Sequence, residues 1–492
     1  MEFKNWFLWM VLSLVSLILV VGCVDNASKD EKVDGISNNE GKSQLKVLGP
    51  NAPFDPNEDI VATDIIEVTG YEVDFSMLPQ DNPDERLNIE ITSGQSYDIV
   101  MINDFQFGTL SSEGALLPLN DLLDEHGEHI LNAIGDETWE LVTNNDGDIL
   151  AIPQTNERAN IENGVMVRED VLADLNMDHP SNLKELKEVL QVIKDNTDLI
   201  PLTGGGNSIP TILSAFGLYS YWNEVDGELV PRIKMPQIED YMNFMLELKE
   251  EGLIDQDWAV NTSSIINEKF AGGKAAMIAT DWYNSEQIIP GLDTAVEGAE
   301  TGWINPLEGV NGELGMQANL YFLKASAIPN SAKNPEEAIK YMNAKLDPEN
   351  FTFLTMGNED EHFTKEGNVY EPIQPVFTEK RGSAYWYLNG IDEENYPDMW
   401  LARLRRDENL FKAFEDLNKD VDKYAKQDPA WNMPPDNAIS KNMTALTQFE
   451  EDFFIEVITG NKSINDLSEF IEQWEQEGGT EMIEAVNEWY KN

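Results

Sequence analysis

The chain has 492 residues, 41% of them hydrophobic, and a formal charge of −58 from 33 basic and 91 acidic side chains. That balance argues against a nucleic-acid partner, because gripping phosphates takes a basic surface, and the single cysteine rules out an intrachain disulfide framework. Single domains run to roughly 100–200 residues, so two lobes or two interleaved domains are expected.

An apolar run from Trp6 to Val21 opens the chain and ends in Val20-Val21-Gly22-Cys23. It is short for a spanning helix, which needs about 20 residues, and the small residue before Cys23 suits a cleavage site. This order resembles the signal peptide and lipobox of a bacterial lipoprotein, cut before the cysteine, whose thiol then carries a diacylglyceryl group. The resemblance implies a signal peptide over 1–22 and a lipid anchor at Cys23, holding the body on the extracytoplasmic face of the cell membrane. An uncleaved N-terminal anchor is the alternative. Residues 23–44 lack aromatics and apolar periodicity and read as a flexible tether. Residues 1–22 hold one Glu and one Lys, so cleavage leaves the charge unchanged. The acids are spread over the whole chain and read as a solvated surface adapted to a salty exterior, where screening is strong.

Leu45-Lys46-Val47-Leu48 predicts a first strand closed by a Gly49-Pro50 turn. A helical segment to Thr69, the alternating Tyr71–Phe75 and the nearly continuous apolar run Tyr97–Ile102 follow, and strand-helix-strand order of this kind argues for an α/β sheet. Ser181 opens a helix with Leu183, Leu186, Val189, Leu190 and Ile193 on one face. Residues 238–251 place Tyr241, Met242, Met245 and Leu248 inward, and Asn334-Pro335 supplies an N-cap and a proline at the first helical position. The last hundred residues predict helices over 408–426, 439–458, 466–477 and 480–491.

Catalytic motifs are largely missing. His126-Gly127-Glu128-His129 is not HExxH, and Gly204-Gly205-Gly206 is followed by no Lys-Ser/Thr pair, so a polar helix end and a loop are the readings. Asn144-Asn145-Asp146-Gly147-Asp148 has oxygen ligands but lacks the distal glutamate of an EF-hand, and a β-turn before Ile149–Ile152 explains it equally well. No metal and no cofactor is expected, and no enzyme. Aromatic residues in loop contexts stand out instead: Trp282 and Tyr283, the group Tyr219, Tyr221 and Trp222, Trp303, and Tyr385-Trp386-Tyr387 ahead of Asn389. Flat rings covering C–H faces beside polar groups suit sugar binding, although each also packs cores well.

Several segments, in order, resemble the extracellular solute-binding lipoproteins of ABC importers, and among them the large oligosaccharide binders of the alginate- and pectin-fragment type. They are Ile91-Thr92-Ser93-Gly94-Gln95-Ser96-Tyr97-Asp98-Ile99, Gly114–Leu119, Asp146–Pro153, Val167–Leu172, Glu251–Asp255, Phe270–Met277 with Trp282, and Phe454–Gly460. Where large members carry a calcium loop this chain reads Lys194-Asp195-Asn196-Thr197-Asp198-Leu199, a departure from that pattern.

The resemblance implies a two-lobed α/β fold like that of periplasmic binding proteins, each lobe a central β-sheet flanked by helices, with a helical C-terminal region. Residues 45–157 plus 303–375 are expected to form the N-terminal lobe and 158–302 plus 376–492 the C-terminal lobe, with hinges at 154–160 and around Trp303-Ile304-Asn305-Pro306. A carbohydrate, in all expectation an oligosaccharide, would bind between them and pass to ABC transporter permease subunits, the protein acting as a monomer. Asn103, Asp104, Phe105 and Gln106 leave a buried strand at its carboxyl end, where open α/β sheets bind ligands. Gln154, Asn156, Glu157 and Arg158 sit at the first crossing, with Arg158 placed to pair a uronate carboxylate or to form a hinge ion pair. Trp282, Trp386 and Asn389 are expected from the second lobe as stacking platforms and a hydroxyl partner. A surface-anchored polysaccharide hydrolase, or a binding protein for peptide or another nutrient, are the alternatives.

Overall fold

The computed structural model describes residues 44–155, 160–206, 208–318, 322–434 and 436–491. Two β-sheets organise them. The first contains β1 (Leu45–Gly49), β2 (Val73–Met77), β3 (Ile99–Ile102) and β4 (Ala151–Thr155). The second contains β5 (Asn163–Arg168) and β6 (Ile200–Thr203). A small hairpin of β7 (Trp222–Val225) and β8 (Glu228–Pro231) follows, and the second sheet resumes with β9 (Ala275–Asp281) and β10 (Thr301–Trp303). The short β11 (Met316–Gln317) precedes β12 (Phe322–Ala327), which returns to the first sheet. The strand orders are β2-β1-β3-β12-β4 and β10-β5-β9-β6.

β1 runs parallel to β2 and β3, whereas β12 is inserted antiparallel between β3 and β4. All four residues of β3 are buried, as expected of a central strand covered on both faces, and this explains its unbroken apolar sequence. In the second sheet β5 is antiparallel to β10 and β9, and β6 is parallel to β9. The α/β class expected from the sequence is the class observed.

Helix faces follow the apolar periodicity. Leu186, Val189, Leu190 and Ile193 are buried on Leu183–Asn196, capped by Asn182 accepting from the Glu185 amide at 3.0 Å. Tyr241, Met242, Met245 and Leu248 are buried on Gln237–Glu250. Pro335 opens Pro335–Lys345 as expected, but Asn334 does not cap it through its side chain; its amide instead donates to Asp98 at 3.2 Å.

Three expectations about organisation change. Trp303 is the end of β10 in the second sheet, and Ile304 and Leu307 belong to that sheet's core, so the return to the first sheet falls after them. Residues 376–391 pack on the first sheet's side rather than the second's. There Tyr387 donates to the Pro56 carbonyl at 2.9 Å, and the buried Arg381 pairs with Asp64 on the helix Ile60–Thr69 at 2.6 Å. The helix expected over 408–426 breaks at Asn418, whose side chain accepts from the Ile161 amide at 2.6 Å and donates back to its carbonyl at 3.1 Å. The remaining C-terminal helices, Asn437–Ile458, Leu467–Trp474 and Thr480–Tyr490, join the core of the second sheet through Phe453, Phe454, Trp474 and Met482.

Candidate functional site

An open cavity of about 420 Å³ lies between the side chains covering the two sheets. One wall is the helix Asp104–Ser112, which starts directly beyond β3, together with Leu141 and Phe322 at the head of β12. The Phe107 and Phe322 rings meet there at 5.6 Å. The other wall is Tyr221 and Trp222 at the start of β7, the loop carrying Asp428 and Trp431, and the first turns of Asn437–Ile458. Tyr221 and Trp222 meet edge to face at 5.5 Å.

Local chemistry holds each wall. The Asn103 side chain accepts from the Gln106 amide at 2.8 Å, and the Gln106 side chain accepts from the Asn103 amide at 3.1 Å. This reciprocal cap fixes the turn after β3, and Gln106 is further tied to Asp84 at 2.7 Å. Opposite, the Tyr221 hydroxyl donates to Glu450 at 2.9 Å, as does the Trp474 indole. Burial pushes the Glu450 carboxyl above its usual range, against the pull of Arg232 and of these two hydrogen bonds. Asp428 accepts from the amides of Ala430 (2.9 Å) and Trp222 (3.3 Å), and burial raises its carboxyl likewise.

The walls touch. A side-chain carbon on Gly108 would stand 2.5 Å from the Ser440 hydroxyl, so the helices Asp104–Ser112 and Asn437–Ile458 approach as closely as glycine permits. Asn432 donates to Glu140 at 2.9 Å beside them.

Of the residues expected at a site, Asp104 and Phe105 line this cavity, and Phe105 is exposed. Asn103 and Gln106 shape the turn below it. Asn156, Glu157 and Arg158 lie outside the described residues, as does Cys23. Gln154 is buried on β4, and neither of its amide atoms has a hydrogen-bond partner among the described residues. Trp282 is not an open platform here: its ring is enclosed edge-on by Trp400 (6.1 Å) and Phe414 (5.2 Å), and its indole donates to Asn160 at 3.3 Å. The exposed ring next to it is Tyr283.

Trp386 packs against Phe75 at 5.6 Å on the first sheet's side, with its indole on the Pro50 carbonyl at 3.2 Å. Asn389 is buried, donating to Ser326 of β12 at 2.8 Å and accepting from Lys345. Burial, with the charge of Lys324 added, pushes the Lys345 ammonium well below its usual range. Both residues were expected across the cleft; aromatic packing on the first sheet and a buried lysine's need for oxygen acceptors hold them where they are.

Trp431, Phe322, Asp428 and Asp436 were missed. Trp431 stands in Asp428-Pro429-Ala430-Trp431-Asn432-Met433-Pro434-Pro435, where prolines interrupt an otherwise helical region. Such an interruption carrying a tryptophan was the available signal. The His126 and Asn144 motifs hold no metal-ligand group; among the described residues there is no cluster of three or more His, Cys, Asp or Glu set to hold a metal ion. Asn144 instead makes a turn, accepting from the amides of Asp146 (3.0 Å) and Asp148 (2.9 Å).

A cavity at the carboxyl end of a buried strand, walled by a second α/β unit, defines the architecture of two-lobed solute-binding proteins. The chain belongs to the bacterial extracellular solute-binding protein family, whose model matches residues 63–350. It is 23% identical to Lipoprotein LipO of Bacillus subtilis and 24% identical to the polygalacturonan/rhamnogalacturonan-binding protein YtcQ of the same organism; each match covers 98% of this chain, and 98% and 99% of those proteins. Among solved structures, the Streptococcus pneumoniae ABC-transporter substrate-binding protein FusA in complex with kestose superposes with a TM-score of 0.69 at 18% identity, covering 91% of this chain and 99% of FusA.

Proposed function

We propose that this protein is a membrane-anchored receptor that captures an oligosaccharide in the cavity between its lobes and delivers it, unaltered, to the permease subunits of an ABC importer. The observation that carries the reading is the aromatic lining of that cavity: Phe105, Tyr221, Trp222, Phe322 and Trp431 surround an opening of about 420 Å³. Rings cover the apolar faces of pyranoses or furanoses, and the aspartates between them accept hydroxyl protons. The importer and carbohydrate parts also draw on the functions named for YtcQ and FusA. The lobes we assign are 45–155 with 322–404, and 160–318 with 408–490, with hinges in the three crossings between them. The anchor is the thiol of Cys23, and LipO's name as a lipoprotein supports that placement. The protein works as a monomer and carries out no covalent chemistry on its ligand.

A hydroxyl with no partner in the closed cavity would cost about 1–3 kcal/mol, which is the basis of selectivity. The test is thermal denaturation of the chain from Val24 onward with a panel of oligosaccharides and peptides. A ligand present at about 100 times its dissociation constant adds about 2.7 kcal/mol. Stabilisation by an oligosaccharide supports the proposal, and stabilisation by peptides alone refutes it. Replacement of Cys23 by Ala should release the protein from membranes.

A further inference from the structure

The charges around the cavity carry a statement about its cargo that goes past oligosaccharide binding and rests on it. Three charged side chains line the cavity among the described residues, Asp104, Asp428 and Asp436, and all are acidic. Two of them stand where an anionic sugar would otherwise be welcome. The N-termini of Asp104–Ser112 and Asn437–Ile458 both open on the cavity, and a helix N-terminus carries partial positive charge that draws carboxylates. Here each is occupied by the chain's own carboxylate. Asp104 Oδ1 accepts from the Phe105 amide at 2.8 Å. Asp436 Oδ1 accepts from Ala438 at 2.7 Å and Ile439 at 3.4 Å. In both, Oδ2 has no hydrogen-bond partner among the described residues and stays an acceptor.

Two cations near the cavity, among the described residues, are already engaged. Arg232 lies over the Tyr221 ring at 5.7 Å, on the side of Glu450 and Asp428, both of which feel its charge. Lys324, two residues beyond Phe322, holds its ammonium at 3.3 Å from the Tyr385 carbonyl and 3.4 Å from that of Trp386.

We infer that the cavity selects uncharged oligosaccharides and rejects uronic ones, with Asp104 and Asp436 as the specificity-determining residues. Their carboxylates accept hydroxyl protons from a neutral sugar. A uronate would face like charge in a partly desolvated site, where such juxtaposition is strongly unfavourable. The cargo then differs in charge from the polygalacturonan named for YtcQ.

The test titrates the protein with neutral fructo- and xylo-oligosaccharides and with galacturonate and alginate oligomers of matched length, at about 0.05 M and about 1 M salt. The expected result is binding of a neutral oligomer, with uronates weaker by about tenfold or more at low salt and the gap narrowing as salt screens. Asp104→Asn with Asp436→Asn should narrow it too: Asn caps Asn437–Ile458 as well as Asp does, and Asn103, the cap of Asp104–Ser112, is untouched. Uronate binding equal to or tighter than neutral binding at low salt overturns the inference while leaving oligosaccharide capture standing. If that binding is lost in Arg158→Ala, Arg158 is the group that reverses the site's charge. Silence from both classes overturns oligosaccharide capture, and the inference with it.

Discussion

Gly108 and Ser440 meet across the cavity mouth, the first on the helix that leaves β3 and the second on the long C-terminal-region helix, with room for no more than a hydrogen on Gly108. A glycine inside a helix costs about 1 kcal/mol relative to alanine, so its presence fits a need for close approach. Gly108→Leu should hold the walls apart and weaken ligand binding by about tenfold or more, equivalent to about 1.4 kcal/mol. The same clash is present without ligand, so overpacking should also lower the unliganded stability, by about 1–3 kcal/mol. Calorimetric titration beside a thermal melt separates the two effects; equal affinity in the variant would show that the contact has no part in closure.

Trp431 is the aromatic most exposed to loss of function without loss of fold, because it stands in a loop and is partly buried against the first sheet's core. Trp431→Ala should reduce oligosaccharide affinity by about tenfold or more, whereas Trp431→Phe should retain most of it. Fluorescence titration checks this, with Trp386→Phe as the contrast, since Trp386 lies away from the cavity and should leave affinity unchanged.

Arg381 and Asp64 form a buried pair at 2.6 Å, with side-chain exposures of 3% and 12%. Breaking such a pair strands a charge, at about 3–5 kcal/mol. Asp64→Ala should therefore lower the denaturation midpoint strongly. A neutral result in urea unfolding would mean that Arg381 finds another acceptor.

Burial raises the Glu450 carboxyl above its usual range. The folded state then holds that proton more tightly than the unfolded state, so the group's contribution is fully present below its unfolded value and is lost as pH rises through the folded one. Glu450→Gln keeps an acceptor for Tyr221 and Trp474 and removes the titration. The variant should gain stability relative to wild type as pH climbs from about 4 towards 7. A constant difference in melting temperature over that range would show that Glu450 is not the titrating group.

A charge of −58 resists compaction through self-repulsion. Stability should rise with ionic strength over the range in which the Debye length falls from about 30 Å to about 3 Å. Melting temperatures indifferent to salt would refute adaptation to a salty exterior.

The sequence made the strand-helix framework legible where burial leaves a periodic trace: Ile99–Ile102 is apolar throughout because both its faces are covered, and from it Asp104 and Phe105 could be placed at the cavity. Trp431 could not be placed, because a loop aromatic between proline breaks has no period that reports which side it faces. Trp386 and Asn389 were put on the wrong side for a related reason. Chain order gives no measure of which sheet a late segment covers, and the deciding contacts, to Phe75 and to Lys345, span hundreds of residues of sequence for one and rest on a buried lysine for the other. Trp282 was correctly read as sitting at the end of β9, but its enclosure by Trp400 and Phe414 depends on segments more than a hundred residues away.

The measurement that bears most directly on the account is a calorimetric titration of the protein with neutral oligosaccharides, followed by mass spectrometry of the recovered sugar. The account predicts saturable binding, weakened in Trp431→Ala, and a ligand recovered at its starting mass. Shortened products would make the protein a hydrolase, and binding undiminished in Trp431→Ala would place the sugar somewhere other than this cavity.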